Sequence, residues 1–445
     1  MQDKEKINSM KDKVANLLDS QDCKQWFLDA YRQYLDNEKN KPLRLSSITP
    51  LGLGDCINAS NLAKNQVSSL SKVAVIKLNG GLGTSMGCDG AKSLIHITQS
   101  DRFIDMIIKQ KEFFQSKFNI DIPFYLMNSF NTHHDMLALG LNLNSFTQNK
   151  VPRIDCVSKD IFTVDNQVSF VPPGHADVYR CLLESGISDQ LLEQNIDVLF
   201  ISNSDNLGAT LDISILNYFI EKSLDFLMEV TPKTKLDVKG GSIIKNGNRL
   251  GLLERAQVHK DDLHLFEDIQ TFSYFNTNNI WLNIRALKAQ YNASSFCIPV
   301  IFNHKEIQNR QCVQFESAMG CGLSLFEKAS CIEVARDRFF PVKKTSDLLL
   351  IRSNLIEKKE NGELINMSTH ELPKINLSKD YDRIDIFEKR FLCTPMFKNL
   401  KTLSVEGGFV FKENVVLSGT VKLINTTEKC IELKDKTFED EVVRF

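Results

Sequence analysis

Four short apolar runs constrain this chain more than anything else in it: KVAVIKL (72–78), IPFYLM (122–127), DVLFIS (197–202) and DFLMEV (225–230). They are rich in β-branched or aromatic residues and short enough to be strands. Longer stretches of helical character separate them, such as 102–118 and 176–186. Strand and helix in alternation imply an α/β domain built on a parallel sheet. Three of the runs lead into polar, turn-forming segments: NGGLG, NSFNTHHD and NSDNLG. Ligands of open α/β sheets bind outside the carboxyl ends of the strands, so these segments predict one shared cleft.

The flanks read differently. At 445 residues the chain exceeds what one core usually serves. Residues 1–40 carry a broken apolar stripe (Val14, Leu17, Leu18, then Trp26, Phe27, Tyr31), which reads as a helical packing arm. PLRLSSITPLG (42–52) reads as a linker. Near the other end, LKTLSVEGGFVFKENVVLSGTVKLIN (400–425) reads as short strands with tight turns. That is a small all-β domain or coils of a β-helix. The expected divisions are a helical arm at 1–45, a catalytic domain at 46–380 and a β domain at 381–445.

Composition narrows the function. The net charge is −2 with dispersed Lys and Arg, so no nucleic-acid surface is indicated. Eleven cysteines without a C-x-x-C pair argue against a zinc ribbon or a dithiol redox motif. The opening MQDKEKINSMKDKVANLL lacks the apolar block of a signal peptide. No run approaches the roughly 18–20 apolar residues that span a bilayer. A reduced, cytoplasmic protein without a membrane partner is expected.

LNGGLGTSMGCDGAKS (78–93) follows a strand, where a phosphate loop belongs. Glycines allow close approach to the backbone, and successive N–H groups form an anion nest. Two well-known phosphate motifs are absent. Walker A needs Gly before its lysine, and here Ala91 precedes Lys92. In G-x-G-x-x-G the last glycine must follow Gly83 by three, and Gly87 comes one residue late. On the residues alone, a phosphate cradle and a structural turn both stay open.

The wording KLNGGLGTSMG with KS shortly after resembles the signature of eukaryotic-type UDP-glucose pyrophosphorylases (UTP–glucose-1-phosphate uridylyltransferases). The likeness continues in order through NSFNTHHD (128–135), VPPGHADVY (171–179), NSDNLGA (203–209), MEVTPKTKLDVKGG (228–241), FNTNNIW (275–281) and RFFPVKKTSDLLL (338–350). It implies a Rossmann-like, GT-A-type nucleotidyltransferase domain followed by a small left-handed parallel β-helix. It also implies the reaction of UTP with glucose 1-phosphate to UDP-glucose and pyrophosphate, with Mg²⁺, and association of copies through the β-helix. A UDP-sugar or UDP-N-acetylhexosamine pyrophosphorylase is the nearest alternative. A catalytically silent nucleotide-binding regulatory protein is the alternative of another class.

The resemblance assigns residues one by one. Leu78, Asn79, Gly80 and Gly81 hold the nucleotide through backbone groups, with Asn203, Ser204 and Gly174 beside it. Lys92 reaches the triphosphate. Gln148 hydrogen-bonds uracil, whose imide edge an amide can read. Asp205 is the metal carboxylate. Helix capping is its bland alternative. His175 meets the sugar phosphate, and Asn278 and Glu254 meet glucose. Lys343 is the catalytic lysine between the two reacting phosphates. Adjacent His133 and His134 would face opposite sides of an extended segment; they are weaker candidates and are not read as metal ligands. Two features depart from the family: Ala91, where many relatives have proline, and the early finish at Phe445, expected to trim the last coil. Cys88, inside the loop, invites oxidation that blocks the site.

Overall fold

The computed structural model describes residues 2–36, 42–63, 67–141, 143–234, 237, 240–247, 249–293 and 296–445. Two helices, α1 (Gln2–Ala15) and α2 (Gln21–Leu35), open the chain, the second capped by Ser20. The sheet strands are β1 (Ile57–Asn58), β2 (Val73–Asn79), β3 (Phe124–Asn128), β4 (Asn144–Thr147), β5 (Val198–Asn203), β6 (Phe226–Pro232), β7 (Tyr274–Asn283) and β8 (Ala329–Glu333). They form one eight-stranded sheet in the order β1-β8-β6-β7-β5-β2-β3-β4.

The predicted runs are strands, and their pairings β5–β2, β2–β3, β3–β4, β6–β8 and β8–β1 are parallel. The sheet is nevertheless mixed. β7 lies antiparallel between β6 and β5. An antiparallel return needs no helical crossover, which is why alternation alone does not reveal it.

Strands β2 and β3 are buried at every position. That is the mark of a sheet covered on both faces. Along β2, Val73 and Val75 enter one apolar cluster while Ala74, Ile76 and Leu78 enter the other. Helix Phe103–Phe118 packs on the first face and Asp177–Glu184 on the second.

Segment 42–52 is not a linker. Thr49 and Pro50 pair with Lys245 and Ile244, and Leu45 and Leu51 are buried. His133 and His134 open a short helix (His133–Ala138) instead of lying extended. The arm packs as expected: Phe27, Leu28 and Tyr31 join Val151, Ile154, Val313 and Phe315 in a core of their own.

The last strands are β9 (Lys374–Leu377), β10 (Met396–Glu406), β11 (Phe409–Phe411), β12 (Val415–Ile424), β13 (Ile431–Leu433), β14 (Lys436–Glu439) and β15 (Val442–Arg444). Every pairing among them is parallel: β9–β10, β10–β12, β12–β14, β12–β15 and β11–β13. Their inward Leu403, Leu417 and Leu423 share one continuous core with Val75, Phe103 and Leu349 of the main body. No described helix is long and apolar enough to cross a membrane.

Candidate active site

The three polar segments meet as their positions at strand ends predicted. Asn79, last in β2, donates from Nδ2 to Asn128 Oδ1 at 2.8 Å, and its Oδ1 accepts from Ser204 Oγ at 3.2 Å. Thr132 Oγ donates to the Asn79 carbonyl, and Ser129 Oγ to that of Gly80. Leu78 stands opposite Asn203 in the register, and its carbonyl receives the Ser204 N–H. Asn128, Ser129 and Thr132 are fully buried. NSFNTHHD thus buttresses the glycine loop, a task its polarity alone did not reveal.

Gly80 leaves its space to the Gln148 side chain. A Cβ there would lie 2.1 Å from Gln148 Nε2. Gln148 is 6% exposed, and its Oε1 has no hydrogen-bond partner among the described residues. A buried carbonyl without a donor costs about 1–3 kcal/mol.

Across the loop, Lys92 Nζ sits 2.6 Å from Asp205 Oδ2, with both side chains mostly covered. Asp205 does not cap the following helix; Asp212 does. The Ala91 N–H donates to Asp135 Oδ2 at 3.0 Å, a bond proline cannot make. Burial pushes the half-covered Cys88 thiol above its ordinary pKa, which suppresses the thiolate that oxidants attack.

Lys343 arrives beside this pair. Pro341 bridges to Asn206, and the Val342 N–H donates to the Asp205 carbonyl at 3.2 Å. Lys343 itself is exposed and anchored by its N–H to Asp347 Oδ2. Its charge reaches Glu254. Burial raises that carboxyl, while Lys343 and Lys233 oppose the rise. Lys233, buried beside the Phe266 ring, is itself pulled down to about 8 by burial.

The remaining residues close the ring. Gly174 has φ +88°, and a Cβ there would stand 2.4 Å from the Ser317 carbonyl oxygen. His175 Nδ1 accepts the Met319 N–H at 2.9 Å, which leaves Nε2–H as the donor. Burial holds this imidazole at about 4, so it is neutral. Next to Met319, Gly320 lies against Asn276, which exchanges two hydrogen bonds with Asn278. Asn278 sits at φ +58° where the β6–β7 register shifts, so a bulge turns its side chain out of the strand pattern. Gly241 joins this wall to Glu254, whose Oε1 lies 2.7 Å from where its Cβ would be. Finally, the buried Asp177 takes the Asn149 N–H at 2.7 Å and ties the Gln148 segment to the helix after His175.

Leu78, Asn79, Gly80, Asn203 and Ser204 thus touch one another, Lys92 pairs with Asp205, and His175, Asn278 and Glu254 are linked to them through intervening residues. Sequence reading missed the site's foundations: Glu229, Arg338, Asn279 and Asn206, and Arg336 holding the Asp237 carboxylate. Beside Asp237, residues 235–236 and 238–239 lie outside the described residues. Among the described residues no three His, Cys, Asp or Glu gather to cage a metal.

A sequence profile of the family described as UTP–glucose-1-phosphate uridylyltransferase matches residues 24–418. A protein of that name from Solanum tuberosum is 36% identical over 454 aligned positions, covering 97% of this chain and 95% of its own. Among solved structures, a UDP-glucose phosphorylase from Trypanosoma brucei superposes with a TM-score of 0.86 at 34% identity, covering 96% of both chains. A UDP-glucose pyrophosphorylase mutant from Leishmania major in complex with UDP-glucose gives 0.87 at 30%, covering 95% of this chain and 96% of that one. With the profile spanning most of its length and close relatives matching nearly end to end, the chain belongs to the UTP–glucose-1-phosphate uridylyltransferase family.

Proposed function

We propose that the protein catalyses UTP plus glucose 1-phosphate to UDP-glucose plus pyrophosphate. A phosphate oxygen of the sugar phosphate attacks the α-phosphorus of UTP, a new P–O bond forms, and the bond to the β-phosphate breaks in line. The nucleophile has a second pKa of about 6 and is ionised at neutral pH, so no side-chain nucleophile or strong base is needed. The work left to the protein is positioning and charge neutralisation.

The observation that carries this reading is the Lys92–Asp205 pair brought up against the Lys343 segment at the strand ends. In this reading Lys92 turns to the triphosphate, and Asp205 holds Mg²⁺ together with phosphate oxygens. Bound there, Mg²⁺ neutralises phosphate charge. Lys343 stands between the reacting phosphates, where a cation favours the transition state over the ground state. Neutral His175 donates Nε2–H to the sugar phosphate. The vacant Gln148 carbonyl accepts from the uracil imide N–H. Leu78, Asn79, Gly80, Gly81, Gly174, Asn203 and Ser204 line the nucleotide, and Asn278 and Glu254 take glucose hydroxyls.

The same reading makes the body a Rossmann-like GT-A domain (46–380) with the arm at 1–45 and a left-handed parallel β-helix at 381–445. The all-parallel pairing of β9–β15 supports the last. Eleven free cysteines support a cytoplasmic location.

Pyrophosphate release tests the reading. UTP and Mg²⁺ are supplied with glucose 1-phosphate, galactose 1-phosphate or N-acetylglucosamine 1-phosphate in turn. Fast release with glucose 1-phosphate alone is expected. No release with it overturns the proposal, and a preference for the N-acetyl sugar moves it to the neighbouring class.

A further inference from the structure

Segments 205–208 and 337–342 run side by side, and one side chain spans them. Asn206 is 1% exposed. Its Nδ2 donates to the Arg338 carbonyl at 3.1 Å, and its Oδ1 accepts the Phe340 N–H at 2.9 Å. Reversing the amide would set like against like at both contacts, so the geometry admits one orientation. On one side of this bridge the Asp205 carbonyl holds Val342, next to Lys343. On the other, Gly208 lets the Asp337 carbonyl approach to 2.3 Å of where a Cβ would be.

Arg338 is itself immobilised. Its Nε and one terminal nitrogen bind Glu229 Oε2 and Oε1 at 2.8 and 2.7 Å, and that nitrogen also donates to the Thr210 carbonyl at 2.9 Å. Glu229, completely buried, takes two further bonds, from Trp281 Nε1 at 3.0 Å and Asn279 Nδ2 at 2.9 Å. A bidentate guanidinium–carboxylate pair fixes direction as well as distance. The chain is therefore held rigid from the sheet interior (Glu229, in β6) through Arg338 and Asn206 to the residues on either side of the reacting centre.

We propose that Asn206, backed by the Arg338–Glu229 pair, is a positioning residue that sets the separation of Asp205 and Lys343. This rests on the functional reading above. An apolar residue of equal size would fill the space but leave the Phe340 N–H unanswered and the Arg338 carbonyl with only the longer donation from Asn279 Nδ2 at 3.4 Å. The two strands of chain would then slide, and a shift of about 1 Å at a reacting centre costs on the order of 10²-fold in rate.

The test is a kinetic split. In Asn206→Asp, which keeps the size and the acceptor but loses the donor, and in Asn206→Leu, kcat is expected to fall roughly 10- to 100-fold. KM for UTP, and the Kd of UDP-glucose by titration calorimetry, are expected within about threefold of the parent. Glu229→Gln, two contacts further back, should give the same pattern in milder form. A kcat within threefold in both Asn206 variants overturns the proposal. So does a kcat loss matched by an equal loss of UDP-glucose binding, since that is damage to the whole site. If Asn206→Leu does not fold, the isosteric Asn206→Asp decides alone. A parent enzyme that releases no pyrophosphate defeats the functional reading, whereas an active parent with an indifferent Asn206 defeats only this proposal.

Discussion

At the scale of single residues the proposed reading divides the site into charges that act and shapes that allow them to act. Lys343 is of the first kind. Its replacement by alanine should lower kcat by about 10²–10³-fold, judged by loss of one preorganised donor, with a smaller change in KM for UTP in steady-state kinetics. Gly80 is of the second kind. Gly80→Ala drives a methyl into the space of Gln148 Nε2, so KM for UTP should rise roughly tenfold, the worth of one displaced hydrogen bond. His175 supplies a pH signature. Its folded value of about 4 lies below the 6.5 of a free imidazole, so the unfolded chain binds the proton first. The resulting stability is whole above pH 6.5 and drains away as pH falls from 6.5 toward 4. An NMR titration should show this ring neutral down to about pH 5, and His175→Gln should flatten that part of the stability profile.

At the scale of elements, turns and bulges decide where those residues stand. The turn through Gly174 passes under the chain at Ser317, with φ +88° and no room for a side chain. Gly174→Ala should destabilise the fold by about 2–3 kcal/mol in urea titrations, through strain at a left-handed position and a backbone clash. Gly81, with nothing within 4 Å of its would-be Cβ, is the control and should leave stability unchanged as alanine. How much of this could be read from the chain follows from how local it is. Strands β2, β3, β5 and β6, the loop at 78–93 and the meeting of three polar turns were legible, because period, turn residues and strand polarity are local signals. The antiparallel β7 and the left-handed Asn278 were not, since both arise from a strand inserted between distant neighbours. Segment 42–52 misled because Leu45 and Leu51 are too few to show a period, yet each finds a buried seat. Glu229 and Arg338 looked like ordinary charges, because a buried ion pair 109 positions apart leaves no mark on either partner's surroundings in the sequence.

At the scale of the whole molecule, the C-terminal parallel strands are not an appendage. They share an unbroken apolar core with the main body, and Asn354 exchanges two hydrogen bonds with the Phe397 backbone across the boundary. A boundary crossed by such a core should not melt separately, so calorimetry should show a single transition for these two parts. Deleting residues 381–445 should yield an aggregating remnant. The Lys92–Asp205 pair has a consequence at this scale as well. Two opposite charges 2.6 Å apart present a dipole to distant solvent, and a dipole's field fades faster than that of either ion alone. With a net charge of only −2 over the whole chain, there is little long-range pull on an approaching polyanion. In the proposed reading, kcat/KM for UTP should therefore depend only weakly on ionic strength, which a salt series in steady-state kinetics would check. Discrimination is deferred to the moment of contact, when a ligand offering both a negative and a positive partner can satisfy lysine and aspartate together, while an anion alone strands the aspartate.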